Sequence, residues 1–135
     1  MSSYPHLVLK NLKEVYPYAA INTIITAIGG ENSVDGEKRF KDDVLNHKPD
    51  ILIILLTPSP DSRVDYANPQ NELFQHSNQI RELAKKYGTG LVDSYKAFEF
   101  LYNDLDALKI YMAHVNHPNT KGHELITNEI MKYFK

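Results

Sequence analysis

The chain has 135 residues, of which 42% are hydrophobic and 24% charged, with 15 basic against 17 acidic side chains and no cysteine. These values fit one globular domain, and the lack of any long block of one charge argues against a basic surface for nucleic acid. The absence of cysteine excludes disulfides, zinc–thiolate sites and thiol nucleophiles. The first residues lack a secretory-signal pattern, and the longest apolar run, residues 51–56, is far below the roughly 20 residues that span a bilayer, so we expect a cytoplasmic protein.

Helices and strands are predicted to alternate through the first half of the chain. Residues 4–15 predict an amphipathic helix, because apolar residues recur at i, i+4 and i+7. Residues 20–27 are rich in β-branched side chains and predict a strand that runs into Gly29-Gly30. Ser33 can then cap a helix that continues to about residue 46.

The same alternation continues after Pro49. Residues 51–56 are apolar at every position, which is typical of a strand buried on both faces of a parallel sheet. Residues 57–70 predict a long polar loop, and such loops are often functional. A helix closed by Gly88 and a short strand over residues 90–93 follow.

The last third of the chain is predicted to be mainly helical. Residues 94–102 predict a short helix, residues 103–120 a loop with one more turn, and residues 121–134 a terminal helix. The order of elements predicts a single α/β domain over residues 1–135, a three-layer, flavodoxin-like fold with a mostly parallel sheet of about three strands.

The loops that follow strands are the places to look for a site, because ligands bind at the carboxyl ends of parallel strands. The most specific pattern lies before the last helix, where His117 is followed by Pro118 and by Asn119, which can cap that helix. A histidine held on a rigid turn suits a general base, whose imidazole must lie within about 3 Å of the proton it removes.

These residues also carry a family resemblance. His117-Pro118-Asn119, with Gly122-His123 three residues later, resembles the last sequence block of the SGNH/GDSL hydrolases, and this resemblance implies that His117 is the catalytic base. Residues 28–33, followed by Arg39-Phe40, resemble the second block of that family, which implies that Gly30 donates its backbone N–H to the oxyanion. Asn32, His114 and Asn116 are further candidates for the substrate pocket.

The chain departs from the family pattern at three places. It has no strand that ends in Gly-Asp-Ser, so we find no nucleophile, and it has no Gly-x-Asn-Asp turn for a second oxyanion donor. The acid expected three residues before the histidine is replaced by His114. We therefore expect an N-terminally truncated and internally shortened domain with little acyl-transfer chemistry, because the members of a triad act as a unit.

Two other interpretations of these residues compete with this one. His114, His117 and His123 suggest a metal site, but their spacing matches no standard zinc template, and we predict neither a metal nor a cofactor. Asp93 could orient a histidine in place of the missing acid, but we favour a helix cap, since Asp93 precedes the helix that begins at Ser94.

Two classes of function follow. The first is an SGNH/GDSL ester hydrolase for small acyl esters or O-acetylated carbohydrates, impaired in the chain as given, and the alternative is a non-catalytic binding or interaction module. A reading frame extending upstream into a Gly-Asp-Ser segment would favour the first. A flavodoxin-like signalling or cofactor domain is a weaker option, since it would need a phosphate-binding loop that we do not find. We expect a small ester as ligand and neither nucleic acid nor membrane as partner. We also expect either a compact three-stranded sheet, in which residues 20–27 and 51–56 are direct neighbours, or a homo-oligomer that pairs exposed strand edges.

Overall fold

The computed structural model describes residues 3–26, 33–48 and 53–134. The chain divides into two compact units, one formed by residues 1–21 and 53–135 and the other by residues 22–52. The helices are α1 (Tyr4–Val15), α2 (Ser33–Asp43), α3 (Glu72–Tyr87), α4 (Ser94–Ala97), α5 (Leu105–Lys109) and α6 (Thr120–Met131), and the strands are β1 (Ile54–Leu56), β2 (Gly90–Val92), β3 (Met112–His114) and β4 (His117–Pro118). Short 3-10 turns lie at Leu45–His47 and Glu99–Leu101.

The larger unit is built on a β–α–β arrangement. β1 and β2 pair in parallel, with Leu55 opposite Leu91, and α3 connects the two strands and packs against both. On the same unit α6 contacts β2 and α1 lies along α6. A second sheet consists of β3 and β4, an antiparallel hairpin directly before α6.

The core of this unit lies among β2, α4, α5 and α6. Its buried side chains are mainly aromatic and aliphatic: Tyr66, Val92, Tyr95, Phe98, Leu101, Leu108, Ile126 and Ile130. Tyr95 donates a hydrogen bond from its hydroxyl to the carbonyl of Tyr66, which ties the loop after β1 to α4. Burial raises the pKa of both phenols to about 12, so both stay protonated at neutral pH.

The free edge of β2 is covered by one side chain. The hydroxyl of Tyr133 accepts a hydrogen bond from the Leu91 N–H at 2.7 Å and donates one to the Leu91 carbonyl at 2.8 Å. In a parallel ladder the polar groups of alternate residues point to opposite edges, and those of Leu91 point away from β1. Tyr133 thus satisfies the backbone groups that an edge strand leaves unpaired.

The smaller unit contains α2 and the 3-10 turn after it. Arg39 links this unit internally, because it pairs with Asp43 on α2 and donates to the carbonyl of Thr26 at 2.8 Å. Phe40, also on α2, has 47% of its surface exposed.

Two sequence-based predictions of structure are wrong. Residues 20–26 carry no strand, although a strand was predicted over residues 20–27; residue 27 lies outside the described residues. Residues 103–120 contain α5 and the β3–β4 hairpin, where a loop with one helical turn was predicted. Over the described ranges, no helix has both the length and the apolar character needed to cross a membrane.

Candidate active site

The β3–β4 hairpin presents two histidines side by side. His114 and His117 are register partners across the hairpin, on either side of the turn at residues 115–116. Their ring centroids lie 6.2 Å apart with the planes inclined at 39°, and both side chains are exposed. Asn116 is exposed in the turn between them, so the structure brings three of the predicted site residues together.

Asn119 holds this hairpin onto the start of α6. Its side-chain oxygen accepts from the Gly122 N–H at 3.2 Å and so caps the helix. Its side-chain nitrogen donates to the carbonyl of Ile110 at 2.8 Å, and its backbone N–H donates to the carbonyl of Tyr111 at 2.9 Å. One side chain therefore fixes the backbone on both sides of His117.

Gly122 is required by close packing at the same point. A Cβ added to Gly122 would lie 2.4 Å from the carbonyl oxygen of Tyr111 and 2.7 Å from the Cβ of Pro118. No side chain fits there unless the backbone shifts, so the glycine of the His-Pro-Asn-x-x-Gly pattern lets α6 begin directly against the hairpin.

His123 occupies a different environment from the two hairpin histidines. Its Nδ1 atom is buried without a hydrogen-bond partner in the described part of the chain, and its ring lies 5.9 Å from that of Tyr4 on α1. Burial lowers the pKa of His123, which favours the neutral ring. His123 thus belongs to the packing between α1 and α6.

The loop after β1 reaches the hairpin turn. The N–H of Ser62 donates to the carbonyl of Val115 at 2.8 Å, and Ser62 and His114 line one shallow depression. Asp61 is bound by the guanidinium of Arg63 through both carboxylate oxygens. The hydrogen bond from Arg63 lowers the pKa of Asp61 against a smaller effect of burial, and an electrostatic interaction with His114 lowers it further.

Asp93, at the end of β2, serves α4 and not a histidine. Its carboxylate accepts from the Lys96 N–H at 3.1 Å, which confirms the predicted helix cap. Arg81 donates to both carboxylate oxygens, at 2.7 and 3.0 Å, and Thr57 donates at 3.0 Å. Burial alone would raise the pKa of Asp93, but these hydrogen bonds outweigh it and lower the pKa.

The remaining predicted site residues cannot be located. Gly30 and Asn32 lie outside the described residues, so their roles stay predictions. In the ranges that the structure does describe, no group of three or more histidine, aspartate or glutamate side chains is arranged to hold a metal ion. Sequence reasoning missed the Arg81–Asp93–Thr57 network and the contact between Ser62 and the hairpin, because neither produces a local pattern.

The α/β arrangement described above is the fold of the SGNH/GDSL hydrolases, as the sequence predicted. The acetylxylan esterase of Geobacillus stearothermophilus has a TM-score of 0.79 at 20% identity, covering 97% of this chain and 80% of that one. A catalytic variant of that esterase, with a histidine replaced by alanine, has a TM-score of 0.80 at 19% identity and the same coverage. A lipolytic protein of the G-D-S-L family from Veillonella parvula is more distant, with a TM-score of 0.48, 14% identity, and coverage of 98% of this chain and 75% of that one.

Sequence comparisons add nothing to this result: no family model and no curated protein matches the chain. At these identities the structural likeness establishes the fold and leaves activity to be argued from the site.

Proposed function

We propose that the chain is an ester-hydrolase domain of the SGNH/GDSL type, directed at small acyl esters or O-acetylated carbohydrates, whose acyl-transfer chemistry is impaired in the chain as given. The observation that carries the proposal is the fixed backbone position of His117 directly before α6, in a fold shared with an acetylxylan esterase. A general base needs such a fixed position.

The comparison with that esterase supports His117 as the equivalent of its histidine. Structures of the esterase include catalytic variants of a serine, of an aspartate and of a histidine three positions after the aspartate. In this chain His114 precedes His117 by the same three positions. The acetylated xylan named for that enzyme makes O-acetylated xylooligosaccharides the first substrates to test.

The impairment is supported by what surrounds His117. In the described residues no carboxylate hydrogen-bonds to its ring, and the neighbouring side chain is the imidazole of His114. Asp93 cannot act as a substitute, because Arg81, Thr57 and Lys96 already occupy its oxygens. A base without its acid loses the correct tautomer and orientation. The 135 residues also contain no Gly-Asp-Ser sequence that could supply a nucleophile.

A hydrolysis assay tests this proposal directly. Acetate release from 4-nitrophenyl acetate and from acetylated xylooligosaccharides should proceed at the same rate, within about twofold, for the chain and for its His117→Ala variant. The physical reason is that a base without a nucleophile to activate accelerates nothing. A rate that fell by tenfold or more in His117→Ala, and that a serine-directed organophosphorus reagent titrated stoichiometrically, would show an intact active site.

A binding module is the second candidate, favoured by the Asn119 and Gly122 contacts that shape the site without requiring chemistry. Titrating acetylated xylooligosaccharides against the 15N-labelled chain tests it. Shifts concentrated at residues 114–117, without acetate release, would support binding alone, and no shifts at millimolar ligand would exclude it.

A further inference from the structure

The hairpin register gives His114 and His117 a relation that their spacing in sequence does not. Residues directly opposite one another in an antiparallel pair project from the same face, with Cβ atoms about 4.5–5.5 Å apart. His114 is opposite His117. Both rings therefore project to the same side of the hairpin, where both are exposed.

From this geometry we propose that His114 and His117 together bind a divalent transition-metal ion such as Zn²⁺. Imidazole nitrogens bind Zn²⁺ at about 2.0–2.1 Å. The present 6.2 Å between ring centroids must shorten for both rings to reach one ion. Rotation of the two side chains supplies this movement, since both are exposed. Water completes the coordination.

The ring nitrogens of this pair are available, unlike those of several other histidines. In the described residues neither His114 nor His117 has a side-chain hydrogen bond, whereas Nδ1 of His6 lies 2.8 Å from the hydroxyl of Ser3. Nδ1 of His76 lies 3.1 Å from the side-chain oxygen of Gln79. A metal ion at the hairpin pair therefore breaks no side-chain hydrogen bond seen in the described residues.

The charges around the pair also favour a cation. The carboxylate of Asp61 interacts electrostatically with His114. Lys109, which lines the depression together with His114, is paired with Asp106 at 2.7 Å, and Arg63 is paired with Asp61. Among the residues described beside His114, bound Zn²⁺ thus meets no unpaired ammonium or guanidinium group.

Metal binding would change what His117 can do. A ring nitrogen that coordinates Zn²⁺ has no lone pair left for a proton, so the ion and proton transfer through that nitrogen exclude each other. This consequence rests on the proposed hydrolase function, whereas metal binding itself does not.

A Zn²⁺ titration followed by the imidazole 15N resonances tests the site one histidine at a time, without any ester. We expect the resonances of His114 and His117 to shift together, at lower ZnCl₂ than those of His6, His47, His76 and His123. His114→Asn should weaken the response of His117 by about tenfold or more, because the second ligand then no longer acts at high effective concentration. His76→Asn is the matched control and should leave the response unchanged.

Two results would overturn the proposal. One is a His117 response that is the same in His114→Asn as in the unchanged chain, which would mean that each imidazole binds alone. The other is simultaneous shifts of all exposed histidines at millimolar ZnCl₂, which would mean non-specific binding. The backbone amide spectrum of His114→Asn shows whether the hairpin is intact, and the titration of the unchanged chain is informative in either case.

Discussion

At the scale of single residues, Gly122 is the position where the sequence pattern and the packing agree most closely. Its pattern partner Asn119 accepts the Gly122 N–H, and the space for a side chain is filled by Tyr111 and Pro118. The pattern suggested a catalytic motif, and the structure shows that part of the motif is needed for packing. Gly122 therefore indicates how the backbone near His117 is held in place and does not indicate the chemical role of His117.

Replacing Gly122 by alanine should destabilise the chain by about 1–3 kcal/mol, the usual cost of overpacking. The added methyl group would lie 2.4 Å from a backbone oxygen, which cannot move as a flexible side chain can. Urea unfolding followed by circular dichroism measures the change.

Gly36→Ala provides the control for Gly122→Ala. At Gly36, within α2, the added Cβ would meet nothing within 4 Å in the described chain apart from its own helix backbone and adjacent residues. Alanine there should raise stability by up to about 1 kcal/mol through helix propensity. Equal stabilities for Gly122→Ala and the unchanged chain would contradict the packing argument.

The carboxylate of Asp93 predicts a pH dependence of stability. Its pKa is lowered in the folded state, so its contribution is present above the unfolded value of about 3.9 and is lost as the pH falls through the folded pKa. Asp93→Asn should therefore cost about 1–3 kcal/mol at pH 7, because it leaves the Arg81 guanidinium without its charged partner. The difference between variant and unchanged chain should shrink below pH 4.

Thermal unfolding between pH 3 and pH 7 measures this effect. Asp106→Asn is the matched control: Asp106 pairs with Lys109 on the exposed surface, so its loss should change the midpoint far less than Asp93→Asn does. A constant gap between Asp93→Asn and the unchanged chain at every pH would show that the carboxylate charge is not responsible.

At the scale of elements, the periodic helices and the two parallel strands β1 and β2 were predictable, and the strands of the β3–β4 hairpin were not. The helix predicted over residues 4–15 is α1, with the same bounds, and the cap predicted at Asp93 is present. Residues 20–27 have the composition of a strand, but β propensity expresses packing against neighbours and does not create a partner. The β3–β4 hairpin has strands of two and three residues, too short to show any period.

The candidate site likewise contains residues that could be found from the sequence and contacts that could not. His117 and Asn119 could be found from sequence, because a helix start has local rules. The pairing of His114 with His117 depends on hairpin register, and the contact of Ser62 with Val115 joins segments far apart in the chain. Neither could be predicted, since each is set by tertiary packing.

The junction between the hairpin and α6 should depend on both ends of the Asn119 side chain. Asn119→Ala removes the helix cap and the bonds to the carbonyls of Ile110 and Met112, at a cost of about 2 kcal/mol. Asn119→Asp keeps the cap but places a charge against those two carbonyls, so it should be intermediate in stability.

Hydrogen exchange provides the readout for these two variants. The amide at position 119 donates to the Tyr111 carbonyl and should exchange faster in both variants than in the unchanged chain. Comparing Asn119→Ala with Asn119→Asp separates the contribution of the helix cap to stability from that of the hydrogen bonds to the hairpin. Unchanged protection at position 119 would show that other contacts hold the junction.

At the scale of the whole molecule, the two edges of the parallel sheet differ in the hydrogen bonding of their outward backbone groups. Tyr133 covers the edge of β2, whereas the backbone groups of Ile54 and Leu56 point away from β2. Within residues 53–134 these groups of β1 have no partner. We propose that the β1 edge pairs with a second copy of the chain, since exposed apolar edges are templates for another strand.

Sedimentation over a range of concentrations should then show a reversible dimer. Ile53→Lys should shift it to monomer, because a charge beside the strand opposes edge pairing while the 47%-exposed side chain of Ile53 contributes little to the core. Leu83→Lys, on the exposed surface of α3, is a control that should not change the association. A monomer at all concentrations, with slow amide exchange at Ile54 and Leu56, would exclude this form of assembly.

The hydrogen bonds between Tyr133 and Leu91 can form only late in translation. Leu91 and Tyr133 are 42 positions apart. At 5–20 residues per second, a ribosome needs about 2–8 s to reach Tyr133 after it has added Leu91. The β–α–β unit can pair as soon as β2 emerges, but its outer edge stays open throughout that interval. Slower translation of residues 92–133 lengthens the time for which the β2 edge is unpaired. During that time the nascent chain is most prone to pair this edge with a strand of another chain.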